Sequence, residues 1–439
     1  CWYDTIEGNA GIDTLTGGAG NDTFNFVTAE LLGTDIVSGG DGTDVIGVTD
    51  ATNGTNVVDA DFTNMTSVET LTLGANLAHT LVMGASSLAA GIVTVTATGT
   101  GTNSMTVGAG HAGSTSLTGG SGADTFLVSG VPAGNTTTIV GGNGANGYTI
   151  GAATEVITGG TGVDTITVTA PASLSASDVV NGGTGTDIIT FGATGTITDD
   201  QFTGVSLVET VTLAAAVTTI TLAGQASEAG IATINTGVVG NGTQNTIDVS
   251  AKTTATAING NTGSDVITGS AQVETYDFTT AGNTGTAVDV VKFGASGAAN
   301  GVDVFGGNFA QASTQFDFSA FSSGLTFNST VVQENTTADI NITNKITVLS
   351  DDAVGAGVTE VDSAADVVAL IQGIANELHI NSGGKAVVIT GNDSGANSGF
   401  MYYVDDTVDG TNGTISGNDV MQIATFTFDI DGFTAGNFI

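Results

Sequence analysis

The chain has no arginine and only four lysines (Lys252, Lys292, Lys345 and Lys385) against 43 acidic residues. At a net charge of −39 it offers no basic surface to neutralise phosphates, which argues against nucleic acid as a partner. An anionic membrane surface is disfavoured in the same way, unless divalent cations bridge the two. Cys1 is the single cysteine, so no internal disulfide staples the fold. Proline occurs twice, at Pro132 and Pro171. The three histidines, His79, His111 and His379, share no local spacing, which argues against a zinc site or a histidine-dependent nucleophile. The His-Glu-x-x-His and Gly-x-Ser-x-Gly patterns are absent, and with them the motif support for a metalloprotease or a secreted lipase. No apolar run reaches about 18 residues, so no membrane span is expected. Neither an initiator methionine nor a signal peptide stands at the start. The chain is therefore expected to begin inside a longer precursor, a lipidated Cys1 being the lesser alternative.

What is present is glycine, with 67 residues, in a chain that is 40% hydrophobic with a mean hydropathy of +0.28. That is too apolar for a disordered polyanion. A charge of this size opposes compaction, and bound divalent cations are the simplest counter-charge. Short β-branched runs bounded by Gly, Asn and Asp recur, as in Val93-Thr94-Val95-Thr96 and Thr218-Thr219-Ile220-Thr221-Leu222. These are strand signals with turn punctuation. Helical periodicity is nearly absent before residue 360.

A nonapeptide, Gly-Gly-x-Gly-x-Asp-x-(large apolar)-x, recurs in register. It reads Gly8-Asn9-Ala10-Gly11-Ile12-Asp13-Thr14-Leu15-Thr16 and then, without a gap, Gly17-Gly18-Ala19-Gly20-Asn21-Asp22-Thr23-Phe24-Asn25. Further copies start at Gly39, Gly119, Gly159 and Gly182, with a weaker one at Gly260. Glycine permits the tight turn, the Asp offers a hard oxygen to a cation, and the apolar residue opens a strand facing inward. This is the pattern of a calcium-binding β-roll.

The position-six residues run Asp4, Asp13, Asp22, Asp35, Asp44; then Thr115, Asp124, Thr137, Asn146, Glu155, Asp164, Asp178, Asp187; then Thr256, Asp265, Glu274. Two nonapeptides make one turn of such a roll, so ligands of repeats i and i+2 are expected to face each other, as in Asp4 with Asp22, Asp13 with Asp35, and Asp22 with Asp44. The candidate metal ligands are Asp4, Asp13, Asp22, Asp35, Asp44, Asp124, Glu155, Asp164, Asp178, Asp187 and Asp265. The turn glycines Gly11, Gly20, Gly42, Gly122, Gly162, Gly185 and Gly263 belong to the same sites. Where Thr or Asn takes the place of Asp, the coil is expected to stack without a metal. The bland alternative, ordinary Asx turns, does not account for the fixed register.

A longer repeat overlies the first. Phe62-Thr63-Asn64-Met65-Thr66-Ser67-Val68-Glu69-Thr70-Leu71-Thr72-Leu73 matches Phe202-Thr203-Gly204-Val205-Ser206-Leu207-Val208-Glu209-Thr210-Val211-Thr212-Leu213, about 140 residues on. Glu69 and Glu209 either complete a cation site or lie on the exposed face of a strand, and the second reading is slightly preferred. The expected organisation is β-roll coils over 1–50, two repeat units over 51–190 and 191–300, and a C-terminal β-rich domain over 301–439. In the last, Ser363-Ala364-Ala365-Asp366 reads as a capping box opening the one clear helix, about 362–379, with strands near 386–390 and 400–404. The fold class is mainly β: a parallel β-roll or β-solenoid with strand-rich modules and a small C-terminal α+β segment. Asp351-Asp352, Asp405-Asp406 and the pair Asp429/Asp431 read as solvated or calcium-binding turns. Trp2 and Tyr402-Tyr403 read as packing residues rather than a carbohydrate platform.

These nonapeptides make the chain resemble type I-secreted RTX proteins. The Thr/Ala/Gly-rich strands, the Val-Glu-Thr block and the lack of a catalytic motif are similar to bacterial RTX-type surface-layer proteins. The resemblance covers about residues 3–290. It implies a calcium-folded β-solenoid that self-associates into a two-dimensional lattice at the cell surface, without enzymatic activity. A link to cell-surface polysaccharide would come through an N-terminal module not recognisable here. The acidic, apolar end resembles an uncleaved type I secretion signal, which implies that Ile439 is the native terminus. The alternatives are an adhesin or biofilm-matrix fragment, or the calcium-stabilised appendage of a secreted enzyme.

Overall fold

The computed structural model describes residues 3–50, 56–74, 77–213, 218–237, 244–260, 263–278, 288–294, 301–306, 314–321, 330–332, 340–343, 345–349, 363–372, 378–380, 384–391, 399–406, 415–427, 433 and 437–438. The expected turns at Asp351-Asp352 and Asp429/Asp431, and Trp2, lie outside them. The chain divides into two compact units: Cys1–Thr212 with Glu228–Ile231, and Leu213–Ser227 with Ala232–Ile439. Among the described residues they hold about 11 turns of parallel β-solenoid and three short α-helices.

Through most of the first unit every second strand pairs, the Val-Glu-Thr blocks adding one strand to the interval. Strand Thr5–Glu7 lies parallel to Thr23–Phe26, and Thr14–Ala19 to Ile36–Asp41, so two strands make one turn. The apolar position two residues after each position-six residue explains the stacking. Phe24, Ile46, Leu71, Val95, Leu117, Ile139, Ile157 and Val180 are register partners in succession and form one continuous inward column. A second column runs Leu81, Met105, Phe126, Tyr148, Ile166, Ile189 on other strands. All are at most 1% exposed, and burial of such a side chain contributes about 1.5–3 kcal/mol. The period-two alternation thus becomes parallel columns of buried side chains, each many turns long.

The long repeat is structural as well as sequential. A 3-10 turn at Asp59–Phe62 and helix α1 (Ala85–Ala90) recur about 140 residues later as Asp199–Phe202 and helix α2 (Gly224–Ala229). Neither helix is visible as periodicity, because six residues span fewer than two turns.

In the second unit parallel pairing continues, as Thr246–Asp248 with Val266–Thr268 and Thr256–Asn259 with Glu274–Asp277. Its interior is more aromatic: the Tyr276 and Phe305 rings stack at 4.8 Å, and Phe305 meets Phe316 edge-on at 5.2 Å. The strands expected near 386–390 and 400–404 form as Lys385–Gly391 and Gly399–Asp405, and with Val420–Phe426 they pair antiparallel. Helix α3 covers them but spans only Ala364–Gln372. Leu378 and His379, expected at its end, form a short strand paired with Ile340–Asn341 instead. Of the expected capping box, the Asp366 N–H donates to Ser363 Oγ at 3.3 Å, and Ser363 Oγ in turn bonds the Asp366 carboxylate. Val367 joins Val388, Tyr402 and Val404 in the core beneath it. Tyr402 and Tyr403 are packing residues, 0% and 4% exposed.

Candidate metal centre

The position-six residues line up as a ladder. In many turns the backbone N–H of one donates to the side-chain oxygen of the one a turn later: Asp4 to Asp22 Oδ1 at 2.8 Å, Asp13 to Asp35 at 3.0 Å, and Asp22 to Asp44 at 2.7 Å. The same bond links Asp124 to Asn146, Asn146 to Asp164, Glu155 to Asp178, Asp164 to Asp187, and Asp265 to Asp289. The expected i and i+2 partners are therefore adjacent, joined by backbone-to-carboxylate bonds. Such charge-assisted bonds satisfy the N–H groups that the glycine turns leave outside the strand ladder. Asp4 is exposed and Asp13 half-buried; the position-six residues from Asp22 onward are buried.

One oxygen of each carboxylate is thus committed, and the fate of the other separates the sites. At Asp35 it accepts the Leu32 N–H at 3.0 Å, at Asp178 the Ser175 N–H at 2.7 Å, and at Asp124 the Gly120 N–H at 2.9 Å. These three carboxylates close their own turns. At Asp22, Asp44, Asp164 and Asp187, each 0% exposed, Oδ2 has no hydrogen-bond partner. Each of those oxygens instead faces a carbonyl oxygen of the next turn across a glycine. A β-carbon on Gly17 would stand 2.6 Å from the Gly39 carbonyl oxygen and collide with Asp22 Oδ2. On Gly159 it would stand 2.5 Å from Asp164 Oδ2 and collide with the Gly182 carbonyl. Glycine is obligatory here, because two acceptors converge where a side chain would begin.

Two buried acceptors facing each other repel unless a positive group sits between them. Among the described residues no three carboxylate, imidazole or thiol groups converge on one point. Each centre is accordingly one carboxylate oxygen supplemented by backbone carbonyls, the hard-oxygen set that suits calcium. When bound, the ion supplies the missing positive charge between turns. Without it, burial first and then neighbouring carboxylates hold the acids above their ordinary range: Asp44 beside Glu69 and Asp22, Asp164 beside Asp187, and Asp187 beside Glu209.

The turn glycines behave as expected where their conformation is left-handed: Gly11, Gly20, Gly42, Gly162 and Gly185 have φ between 118° and 149°. Gly122 packs under the Gly101 carbonyl, and Gly263 stands in the bend before Asp265. Asp265 accepts both the backbone N–H and the side-chain amide of Asn245, at 3.1 and 2.9 Å. Burial, then the Asp178 charge, pushes the Glu155 carboxyl up to about 8.

Several ladder members escape sequence reading. Asn103 and Asn245 occupy position-six places without the nonapeptide, and Asn103 donates to Asp124 at 2.7 Å. Asp289 and Asp303 do so too, the latter accepting the Glu274 N–H at 2.9 Å. Buried Asp at turn spacing was the only signal, and it carries little weight in a chain so rich in Asp. Glu69 and Glu209 correct the exposed-strand expectation: Oε2 of each accepts the Asp44 or Asp187 N–H at 2.8 Å. They are ladder rungs with one extra methylene. Asp405 is no solvated turn either. It pairs with Lys385 Nζ at 3.0 Å and accepts the Tyr403 hydroxyl, while Asp406 is fully buried. Among the histidines, the His79 N–H joins the ladder through Asn103, and the buried His111 contacts Ser87 Oγ at 3.2 Å.

Three segments, residues 4–26, 174–193 and 256–277, match the RTX calcium-binding nonapeptide repeat family. No curated protein matches the chain. The matched segments contain Asp22, Asp187 and Asp265, ladder members from both compact units. The protein carries RTX calcium-binding nonapeptide repeats on a parallel β-solenoid, and binds multiple calcium ions through them.

Proposed function

We propose that this is a secreted, non-catalytic structural protein whose turns are folded by calcium and whose loaded solenoids assemble with one another into a lattice at the cell surface. The observation that carries this reading is the set of four facing oxygen pairs at Asp22, Asp44, Asp164 and Asp187. Spread along one unit, they make calcium a condition of turn stacking rather than an accessory to a distant site. Each turn adds only a few buried apolar side chains, so cross-turn electrostatics weigh heavily in such a fold. Outside the cell, calcium is plentiful enough to fill weak sites. The strongly anionic surface would hold copies apart without calcium and let them associate once it is screened or bridged. Attachment to cell-surface polysaccharide, through a region beyond this chain, belongs to the same proposal.

The test is electron microscopy of the full chain in millimolar calcium, after chelation, and after calcium is restored. Ordered arrays that dissolve on chelation and re-form on re-addition are expected. Arrays indifferent to chelation, or calcium-loaded protein that stays monodisperse, would overturn the lattice reading; the monodisperse outcome points to a spacer in an adhesin.

A further inference from the structure

Three described residues other than glycine hold a left-handed backbone: Asn9, Ser67 and Leu207, the last two at φ 53° and 52°. Ser67 and Leu207 occupy equivalent places, two residues before Glu69 and Glu209, in the two copies of the Val-Glu-Thr block. A branched side chain such as leucine disfavours this conformation. Leu207 is 51% exposed, so side-chain burial does not compensate for it.

What the conformation accomplishes is the aim of one carbonyl. A β-carbon on Gly182 would stand 2.5 Å from Asp187 Oδ2 and collide with the Leu207 carbonyl oxygen. On Gly39 it would collide with Asp44 Oδ2 and the Ser67 carbonyl oxygen together. This is the juxtaposition found at Asp22 with Gly39 and at Asp164 with Gly182, except that no nonapeptide supplies the carbonyl. Asp44 and Asp187 are fully buried, and their Oδ2 atoms have no hydrogen-bond partner and point at those carbonyls. Glu69 and Glu209 hold the turn in register by accepting the N–H of the same two aspartates. Directly beyond, the Val68 and Val208 N–H groups donate to Ala90 and Ala229 at the ends of helices α1 and α2, where nonapeptide stacking stops.

We propose that the Val-Glu-Thr block is a terminal calcium-binding turn, Asp44 with the Ser67 carbonyl and Asp187 with the Leu207 carbonyl each contributing ligands to one further ion. The nonapeptide glycines are not needed there, because a strained non-glycine residue presents the carbonyl and a glutamate positions the aspartate. This places an ion at the end of the first two runs of nonapeptide turns, at junctions whose carbonyl donors lie outside every matched segment. Ser67 and Leu207 contribute backbone ligands, and Glu69 and Glu209 are positioning residues. The inference rests on calcium binding by the nonapeptide turns themselves, and the test separates the two.

Calcium bound per full-length chain is counted by equilibrium dialysis with calcium alone as the probe. Asp44→Asn and Asp187→Asn keep an acceptor for the ladder N–H but remove the anionic ligand. Each is expected to lose one ion, and the double variant two. Asp22→Asn should lose one at the ordinary site, and Asp35→Asn, whose oxygens are both committed, none. Leu207→Gly should retain the full count, since glycine adopts the same backbone more readily. Glu69→Gln, which preserves the acceptor, should keep the count too. If Asp22→Asn lowers the count while Asp44→Asn and Asp187→Asn leave it unchanged, the terminal sites are overturned and the nonapeptide sites stand. If the wild-type chain binds no calcium, both fall. A crystal of the wild-type chain soaked in a lanthanide needs no variant. Anomalous peaks beside Asp44 Oδ2 and Asp187 Oδ2 support the proposal, and peaks confined to Asp22 and Asp164 overturn it.

Discussion

The turn closed by Gly159 and the turn closed by Gly141 are neighbours in one ladder, yet they solve the same electrostatic problem in opposite ways. Over Gly159 the Asp164 carboxylate faces the Gly182 carbonyl, two acceptors with no donor. Over Gly141 the place of the Asp is taken by Asn146, whose amide donates to the Gly144 carbonyl at 3.2 Å and reaches the Gly159 carbonyl at 3.5 Å. The Tyr148 hydroxyl fills the remaining space over Gly141 and donates to the Gly159 carbonyl at 3.4 Å. One turn leaves two acceptors facing each other; the other carries its own donors. The second compact unit extends the lesson. The Phe278 ring covers Gly260 beside Asp265, and the Tyr276 hydroxyl stands over Gly269 near Glu274. There the carboxylates meet aromatic filler and protonation: burial, with the neighbouring Glu274 charge, pushes the Asp303 carboxyl up to about 9. The N–H-to-carboxylate ladder is common to both, and what faces the free oxygen decides between metal and no metal.

Chelation gives the largest expected contrast. Excess EGTA should unstack the turns around Asp22, Asp44, Asp164 and Asp187, seen as loss of β signal in circular dichroism and of hydrogen-exchange protection over residues 4–70 and 154–210. The turns around Tyr148 and Tyr276 should keep more protection. Uniform protection before and after chelation would erase the distinction.

A conversion of one turn type into the other comes next. Asn146→Asp with Tyr148→Phe removes both donors from the Gly141 turn and leaves facing oxygens, so the double variant should bind one additional calcium ion per chain. In EGTA it should be less stable than wild type by about 1–3 kcal/mol, the cost of a buried unsatisfied acceptor. An unchanged calcium count would show that filler and donors are not what keeps that turn metal-free.

The pH response should be smaller and run in an unusual direction. The folded chain holds a proton on Asp303 up to about 9, while the unfolded chain releases it near the ordinary carboxyl value of 3.8. Between those values the folded state binds more protons. The contribution is therefore complete below about pH 4 and is lost as pH rises toward 9, at up to about 1.4 kcal/mol per pH unit. Melting of wild type and Asp303→Asn, at fixed calcium, should diverge with rising pH and leave the variant the flatter profile. Parallel profiles would mean that Asp303 ionises freely in the fold.

Asp35→Asn should have the smallest effect, about 1 kcal/mol of stability, because both Asp35 oxygens accept backbone N–H groups and only one of them remains an acceptor. Denaturant melts in calcium and in EGTA should show the same small loss in both. A loss confined to the calcium arm would place an ion at Asp35 and move that turn into the metal-dependent class.

Much of this was legible before the fold. The phase of the position-six residues survived substitutions by Thr, Asn and Glu because it is set by strand length and turn length, which glycine spacing records. Thr137 and Asn146 are buried at the places that phase requires, although only Asn146 bonds as a ladder rung. The paired strands of residues 385–405 were marked by β-branched and aromatic runs. Glu69 and Glu209 were misjudged because alternation with apolar neighbours is the same for an outward strand residue and for a rung that turns back to a backbone N–H. Asp289 and Asp303 were missed because no glycine turn announces them. Leu378 and His379 were assigned to the helix because the apolar pattern continues into residues that pair as a strand.

The sequence by itself determined the period of the solenoid, the direction each apolar side chain takes and the column of acids along the turns, since these follow from local spacing repeated many times. Only the tertiary structure decided which of those acids keeps an oxygen for a metal. That choice depends on what the next turn presents some twenty residues away, whether a carbonyl, an amide, a hydroxyl or a ring, and local spacing does not encode it.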